Sequence, residues 1–301
     1  MYPTIKFLFI CSLLLVSTLT IKAQSQSNTQ YMDNLTPYNS ASSLTQPGGS
    51  VNTLVRKQWV GVTGSPSTYM INGYLPIESI NATAGLMVRN DVLGVEHQTE
   101  VSAFFAKGIR LSEDQNLAVS LNVGLRGYTA NYTEADAFDP TFRNNISETK
   151  PNFGFGVMFY TKDYYVGISV PQITLRTLGV ASQDNVNFKN NYYLTAGYAA
   201  DINEDFRLKF ATLAAYTQSV PLIADVSSVV WIKNSFGVGL NYRTNNEIAG
   251  IFSVRYNKFQ FGYSYQFGAS GINIGGFSNA THELTLGLRF GKGSDDRDGS
   301  F

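Results

Sequence analysis

The chain has few of the residues and none of the long runs that mark several large classes of protein. Among its 301 residues are one cysteine, Cys11, and two histidines, His97 and His282. No apolar run of about 18 residues, the length a helix needs to span a bilayer, follows the N-terminal region. Positive and negative residues number 22 each, so the formal net charge is zero. The composition therefore excludes a disulfide scaffold and a helical membrane bundle, and it predicts no nucleic-acid partner.

Side chains suited to metal or covalent chemistry are equally scarce. Neither His97 nor His282 has a second histidine at metal-ligand spacing. Glu283 follows His282, but no nucleophile stands at a spacing that would complete a catalytic set. We therefore predict no catalytic residue, no metal and no cofactor. The alternative, a hydrolytic barrel, would require an activity that His282→Ala abolishes.

The N-terminus has the form of an export signal. Lys6 precedes an apolar stretch at 7–21, and the small residue Ala23 stands before the polar Gln24. An uncleaved helical anchor is the alternative. The sequence predicts four parts, namely a signal peptide at 1–23, a periplasmic N-terminal segment at 24–49, an outer-membrane barrel at 50–290 and a polar C-terminal tail at 291–301.

The main body of the chain repeats segments of roughly ten residues in which every second residue is apolar. In the clearest segment one face carries Leu117, Val119, Leu121, Val123 and Leu125. The other face carries Ala118, Ser120, Asn122, Gly124 and Arg126. This period predicts an all-β fold, a transmembrane antiparallel up-and-down β-barrel of about 14 strands with one face in lipid.

The breaks between these segments support the same fold. Six breaks of five residues or fewer alternate with connections that include the three longest, at Thr133–Pro151, Leu175–Lys189 and Gly271–Ala280. Outer-membrane barrels have short periplasmic turns and long extracellular loops. The 20 Phe and 18 Tyr would suit the interfacial girdles of such a barrel. A secreted β-sandwich is the alternative, but it would have to bury ten-residue apolar faces on most strands.

Several charged residues fall on the polar face of their strands and would therefore point into the barrel lumen. They are Arg126, Arg243, Arg289 and Glu283. They would either select a solute or grip a plug, or they would be paired and hydrated charges of an ordinary polar lumen. The sequence leaves both interpretations open. It also leaves open whether the lumen is a channel, because a barrel of this width can be filled or open.

The chain carries an ordered set of short motifs. The first runs Arg56-Lys57-Gln58-Trp59-Val60-Gly61 and is followed by Pro66. The others are Gln30-Tyr31-Met32, the pair Asp91 and Gly94, the strand Tyr164–Pro171, and the C-terminal groups Tyr242-Arg243, Gly262–Tyr265 and Thr281–Glu283. Together these motifs resemble the PorP/SprF family of outer-membrane proteins linked to type IX secretion in Bacteroidota. Tyr38–Ala41 resembles the family's Asn-Pro-Ala-Tyr-Ala-Gly only loosely, and Gln266 replaces a frequent Asp.

The resemblance implies a barrel that helps a large secreted adhesin leave the cell or stay attached to its surface. Its implied partners are type IX translocon components, the C-terminal region of the adhesin and outer-membrane lipid. The candidate contact or family-motif residues are Arg56, Gln58, Trp59, Gly61, Pro66, His282 and Glu283. Trp59 could instead belong to the aromatic girdle. The alternative function is a passive outer-membrane pore for small solutes.

Overall fold

Fourteen antiparallel strands close into one barrel in the computed structural model, which describes residues 27–135, 145–174, 188–267 and 280–291. The strands are β1 Gly49–Lys57, β2 Ser67–Ile77, β3 Ala82–Leu93, β4 Glu96–Arg110, β5 Asn116–Ala130, β6 Ile146–Tyr160, β7 Tyr164–Thr174, β8 Asn191–Asp201, β9 Phe206–Thr217, β10 Ile223–Ile232, β11 Phe236–Arg243, β12 Glu247–Tyr256, β13 Phe259–Phe267 and β14 Thr281–Phe290. Each strand pairs with its neighbours in sequence, and β1 closes the wall against β14. The predicted fold is confirmed. The predicted signal peptide and nearly all of the predicted tail lie outside the described residues.

Among the described residues, regular helix is limited to short pieces. Two 3-10 helices span Ser40–Leu44 and Glu78–Ile80, and one α-helical turn spans Tyr132–Ala135. None of the helices among the described residues is long and apolar enough to cross a membrane.

The alternating apolar and polar residues of the sequence lie on opposite faces of the barrel wall. Leu121, Val123 and Leu125 are more than half exposed on the outside, at 68%, 52% and 55%. Ser120 and Asn122, which alternate with them, are buried on the inside. On β13 the alternate residues Phe259, Phe261 and Phe267 are likewise exposed. Because the strand period is two, one register places every apolar side chain of a strand toward lipid.

The two ends of the barrel differ in the length of their connections. At the end where β1 begins and β14 ends, here called the turn end, the connections are short, and they lie at 78–81, 111–115, 161–163, 202–205, 233–235 and 257–258. The opposite end, here called the loop end, carries the three longest connections, at 131–145, 175–190 and 268–280. The first of these is shorter than the predicted Thr133–Pro151, because β6 already begins at Ile146. Residues 146–151 pair with the end of β5, where their polar composition hides the alternation.

A β-bulge changes the direction of side chains in the part of β7 nearest the loop end. The register between β6 and β7 shifts between Phe153 and Phe155 of β6. A side chain at Gly154 would overlap the carbonyl of Pro171, so glycine is required there. Pro171 ends the family-like strand motif and lies at the bulge, where a residue without an N–H is tolerated. Beyond the bulge, Gln172 reaches inward to Glu100 of β4.

The N-terminal segment runs through the barrel lumen and does not lie in the periplasm as predicted. Ser27 bonds Asp225 at the loop end, and Ser43 shares a hydrogen bond of 2.5 Å with Thr83 near the turn end. Residues 27–48, here called the plug, therefore span the barrel lengthwise before entering β1. Serine, threonine, asparagine and glutamine dominate the plug. That composition is typical of a solvated segment, but these side chains also match a polar lumen.

The core of the molecule lies between the plug and the inner wall. Tyr31 and Tyr38 pack against Tyr193, Ala211 and Leu213. Lower in the barrel, Ala41 of the 3-10 helix packs against Ala118, Met158 and Tyr165. These clusters bury apolar surface inside the barrel and fix the plug in place, and another inward-facing apolar cluster of the wall joins Leu54, Met70 and Met87.

We expect Gly154→Val to destabilise the barrel, because the new side chain would collide with the backbone at the bulge. The expected loss is about 2–3 kcal/mol of unfolding free energy, measured by urea denaturation in detergent micelles. Gly250→Ala is the control, since no atom lies within 4 Å of an added Cβ there. Equal midpoints for the two variants would contradict this account of the bulge.

Candidate functional site

The outer end of the plug is held by a buried carboxylate of β14. Thr29 and Gln30 donate their backbone N–H groups to the two oxygens of Glu283, at 3.0 and 2.8 Å. Arg56 lies beside Glu283 in the β1–β14 register, with Nε 3.9 Å from a carboxylate oxygen. Glu283 is only 1% exposed. Its charge is therefore balanced by one arginine and two backbone donors, and charge-assisted bonds of this kind are stronger than neutral ones.

A second buried anchor lies on the neighbouring part of the wall. Arg243 donates to Asp225 at 2.7 Å and to Glu247 at 3.0 Å. The plug completes this group, because the Ser27 hydroxyl donates to Asp225 at 2.7 Å and Arg243 donates to the Ser27 carbonyl at 3.0 Å. The lumen charges Arg243 and Glu283 therefore hold the plug, and they are also paired with wall charges, so both interpretations that the sequence left open describe them.

Tyrosines and their hydrogen bonds fix the middle of the plug. The Tyr31 hydroxyl donates to the carbonyl of Ala211 at 2.7 Å. The Tyr38 hydroxyl accepts the backbone N–H of Asn28 at 2.7 Å, so the plug also folds back on itself. Tyr38 meets Tyr193 edge to face with ring centroids 5.3 Å apart. Each buried phenol therefore has both a polar partner and an apolar surround.

Inward-facing glycines of the wall form recesses for plug side chains. A Cβ at Gly156 or Gly167 would overlap the amide of Asn39, and one at Gly262 would overlap the amide of Gln30. The Asn39 amide donates to the Val157 carbonyl at 3.1 Å from inside its recess. These glycines are required by close approach of the plug, since any side chain would push it away.

A polar cavity of about 150 Å³ opens at the loop end. It is lined by Arg56, Gln58, Pro66, Ser67, Thr68, Arg89, Asp91, Val92, Leu93, Glu96, Gln98 and Tyr128. We call it the loop-end cavity. Asp91 accepts Arg89 at 2.7 Å and Thr68 at 2.6 Å, so its carboxylate is fixed. Guanidinium, carboxylate and amide groups together give the cavity donors and acceptors on several walls.

Two separate motifs of the sequence meet at this cavity. Arg56, Gln58 and Pro66 come from the first motif, and Asp91 comes from the second. The Gln58 N–H donates to the Pro66 carbonyl at 2.9 Å, which closes the β1–β2 connection. Gly94 donates to the carbonyl of Gly64 at 2.9 Å and ties this connection to the β3–β4 turn. The loop conformation thus places the motif residues around one space.

Trp59 and Gly61 lie on the β1–β2 connection rather than in the cavity. Trp59 is half-buried and has a positive φ of 47°, and Gly61 is exposed with a φ of 99°. His282 faces away from the lumen, with Nδ1 2.9 Å from the Tyr263 hydroxyl. Its neighbour Glu283, by contrast, is covered by the plug. The strand period separates these two adjacent residues onto opposite faces.

The remaining predicted lumen arginines hold other parts of the interior. Arg126 is 2% exposed, donates to the Lys189 carbonyl at 3.2 Å and lies 5.4 Å over the Phe188 ring. Arg289 lines a smaller cavity of about 50 Å³ on the turn-end side, together with Asp33 of the plug. Both residues point inward, as the alternation predicts.

Sequence reasoning missed the plug and several of its partners. Gln30-Tyr31-Met32 was an available signal, because a tyrosine within a polar segment indicates burial more than solvation. Asp225, which anchors Ser27, follows the same inward period as the predicted charges. Among the residues that the structure describes, no group of three or more His, Cys, Asp or Glu side chains could hold a metal ion.

The closed fourteen-strand wall, its apolar outer belt and its polar, filled lumen define an outer-membrane β-barrel protein. A family model described as type IX secretion system membrane protein PorP/SprF matches residues 20–288. The chain therefore belongs to the PorP/SprF family, and it is located in the outer membrane. Short turns face the periplasm in such barrels, so the turn end is periplasmic and the loop end extracellular.

Solved structures share the fold at low identity. CymD, a monoaromatic hydrocarbon channel, is 12% identical with a TM-score of 0.53, covering 91% of this chain and 96% of its own. A deletion mutant of TodX, another monoaromatic hydrocarbon channel, is 9% identical with a TM-score of 0.51, covering 85% and 94%. Omp33 of Acinetobacter baumannii is 9% identical with a TM-score of 0.47, covering 81% and 98%. The first two likenesses show the fold alone, and no curated protein sequence matches the chain.

We expect Asp225→Asn to weaken the barrel because Arg243 would lose its closest buried counter-charge. The expected loss is about 3 kcal/mol in urea denaturation, since breaking a buried ion pair leaves a charge uncompensated. Asp201→Asn is the matched control: Arg207 also lies 2.7 Å from this carboxylate, but the Asp201 side chain is 62% exposed. Its loss should be about 1 kcal/mol or less. A larger loss for Asp201→Asn would contradict the assignment of Asp225 as an anchor.

Proposed function

We propose that this barrel assists the export or surface attachment of a large, adhesin-like type IX substrate and catalyses no reaction. Membership of the PorP/SprF family supports a role beside other components of that secretion system. The observation that carries the proposal is the convergence of Arg56, Gln58, Pro66 and Asp91 on one extracellular cavity. We propose that this cavity and its rim contact the C-terminal region of the substrate or a translocon component.

The chemistry of the loop end suits a polypeptide segment. The cavity offers the guanidinium groups of Arg56 and Arg89, the amides of Gln58 and Gln98, and the Tyr128 ring. An extended segment carries one donor and one acceptor per residue, which such a mixed lining can satisfy. On the rim beside it, Val60 is 45% exposed and adds an apolar contact. Arginine and tyrosine, both present in the cavity lining, are among the residue types on which binding energy concentrates.

The filled lumen argues against the alternative, a passive pore. Tyr31, Asn39 and Ala41 of the plug are almost completely buried, at 1%, 0% and 0% exposure. An open pore for solutes would require a continuous water-filled path along the barrel axis, which the plug occupies. CymD and TodX are hydrocarbon channels, but they share only the fold with this chain, so their channel activity is no argument for a pore here.

Deletion of the gene should remove at least one C-terminally targeted protein from the cell surface. In a complemented strain, Gln58→Ala should lower surface display of that protein on the order of tenfold, as expected for a contact at an interface hot spot. Surface proteomics of intact cells measures both effects. Gln218→Ala, an exposed glutamine at the same end of the barrel, is the matched control. If every C-terminally targeted protein still reached the surface after deletion, the proposed function would be wrong.

The intact purified protein should show no steady open conductance in planar bilayers, because the plug fills the lumen. A steady conductance with solute-dependent block would instead favour the passive pore. The same recording from a barrel with a known open lumen shows that insertion and detection work.

A further inference from the structure

We propose that the plug is a displaceable seal, that Glu283 holds its outer end, and that the loop-end cavity controls this hold through Arg56. A ligand carboxylate entering the cavity would draw Arg56 away from Glu283 and release the plug from the extracellular side. The proposal does not depend on the proposed function, because it concerns the barrel alone whichever molecule occupies the cavity.

The wall does not need the plug for its own backbone pairing. Each of the fourteen strands pairs with two neighbours, and the plug contributes no strand within residues 27–48. Within the described part of the chain, side chains mediate the hydrogen bonds that hold the plug to the wall, as between Glu283 and Thr29 and between Asn39 and Val157. Displacing the plug therefore leaves the ladder that the membrane requires intact.

The composition of the plug suits movement. Asp33 is its only charged residue, and Arg255 lies 3.9 Å from its carboxylate at the turn-end side. The outermost residues of the plug, 27–32, are uncharged, so their transfer to water exposes mainly amides and hydroxyls that water solvates readily. The charges that hold this half belong to the wall, at Glu283 and at the Asp225–Arg243 pair.

Arg56 connects the loop-end cavity with Glu283, the carboxylate that holds the plug. Its side chain lines the loop-end cavity and lies beside Glu283, which accepts two backbone N–H groups of the plug. Glu283 is buried, so it depends on Arg56 for compensation of its charge. A carboxylate that pairs with Arg56 would leave Glu283 to take up a proton or recruit water. Either change weakens the two bonds that retain Thr29 and Gln30.

The reporter for plug release is a cysteine at position 28, introduced as Asn28→Cys in a Cys11→Ser background. Residue 28 lies at the outer end of the plug and is 2% exposed. A membrane-impermeant maleimide added to intact cells should label it slowly in the otherwise unchanged barrel. Each oxygen of Glu283 accepts one backbone N–H, so Glu283→Gln replaces one acceptor with an amide donor that faces one of the two N–H groups, and it removes the negative charge. It should raise the labelling rate about tenfold or more, as loss of a charged hydrogen-bond acceptor shifts a local opening equilibrium.

A second variant loosens the plug without changing charge. Gly262→Ala places a methyl group where the Gln30 amide lies, so it should also raise the labelling rate and produce a steady conductance in planar bilayers. Gly250→Ala, where an added Cβ meets nothing within 4 Å, is the matched control and should leave both unchanged. Heat-dependent mobility in gels shows which variants have folded. If folded Glu283→Gln and Gly262→Ala barrels both label and conduct like the parent, the seal is not displaceable and the proposal is overturned.

The proposed control of Glu283 by the cavity through Arg56 is tested separately. Arg56→Met should raise the labelling rate in the same direction as Glu283→Gln, because Glu283 loses its counter-charge. Millimolar acetyl-triglycine with a free carboxylate should raise labelling of the reporter barrel, and its C-terminal amide should not. An unchanged rate in Arg56→Met would overturn the link through Arg56, and equal rates with the two peptides would overturn the carboxylate assignment.

Discussion

Every backbone N–H and C=O group that crosses the hydrocarbon of a membrane must be paired within the protein, and the rest of this structure depends on that constraint. A single up-and-down ladder closed by β1 and β14 satisfies it without an edge. Closure then divides each strand into a lipid face and a lumen face. It also creates an interior that must be filled by side chains, water or another part of the chain.

This chain fills its interior with its own N-terminal segment. The wall and the plug are complementary in shape and charge. Glycines of the wall leave space for the Asn39 and Gln30 side chains, and the Glu283 carboxylate accepts backbone N–H groups of the plug. The plug needs almost no charge of its own, since Glu283 and Arg243 supply it from the wall. A polar segment that would remain solvated elsewhere becomes the core of the molecule once a barrel encloses it.

The family motifs acquire physical roles in this arrangement. Pro171 lies at the bulge that turns the upper part of β7, and Arg56, Gln58 and Asp91 surround the extracellular cavity. Tyr38–Ala41, the loosest part of the resemblance, is the most buried part of the plug. Arg56 and Glu283 belong to two motifs at opposite ends of the chain, and the β1–β14 register makes them neighbours. The cavity and the carboxylate that holds the plug therefore lie within a few residues of one rim.

The sequence by itself determined the strands, their two faces and the sidedness of the barrel, because alternation and break length are local properties that lipid imposes on each segment. It also identified Arg243 and Glu283 as lumen charges. Only the tertiary structure decided what those charges hold. Glu283 meets Thr29 across a separation of 254 residues, and a polar segment with no period gives no signal of where it lies. The position of the plug depends on the shape and charge of the completed lumen, which exists only after the last strand pairs with the first.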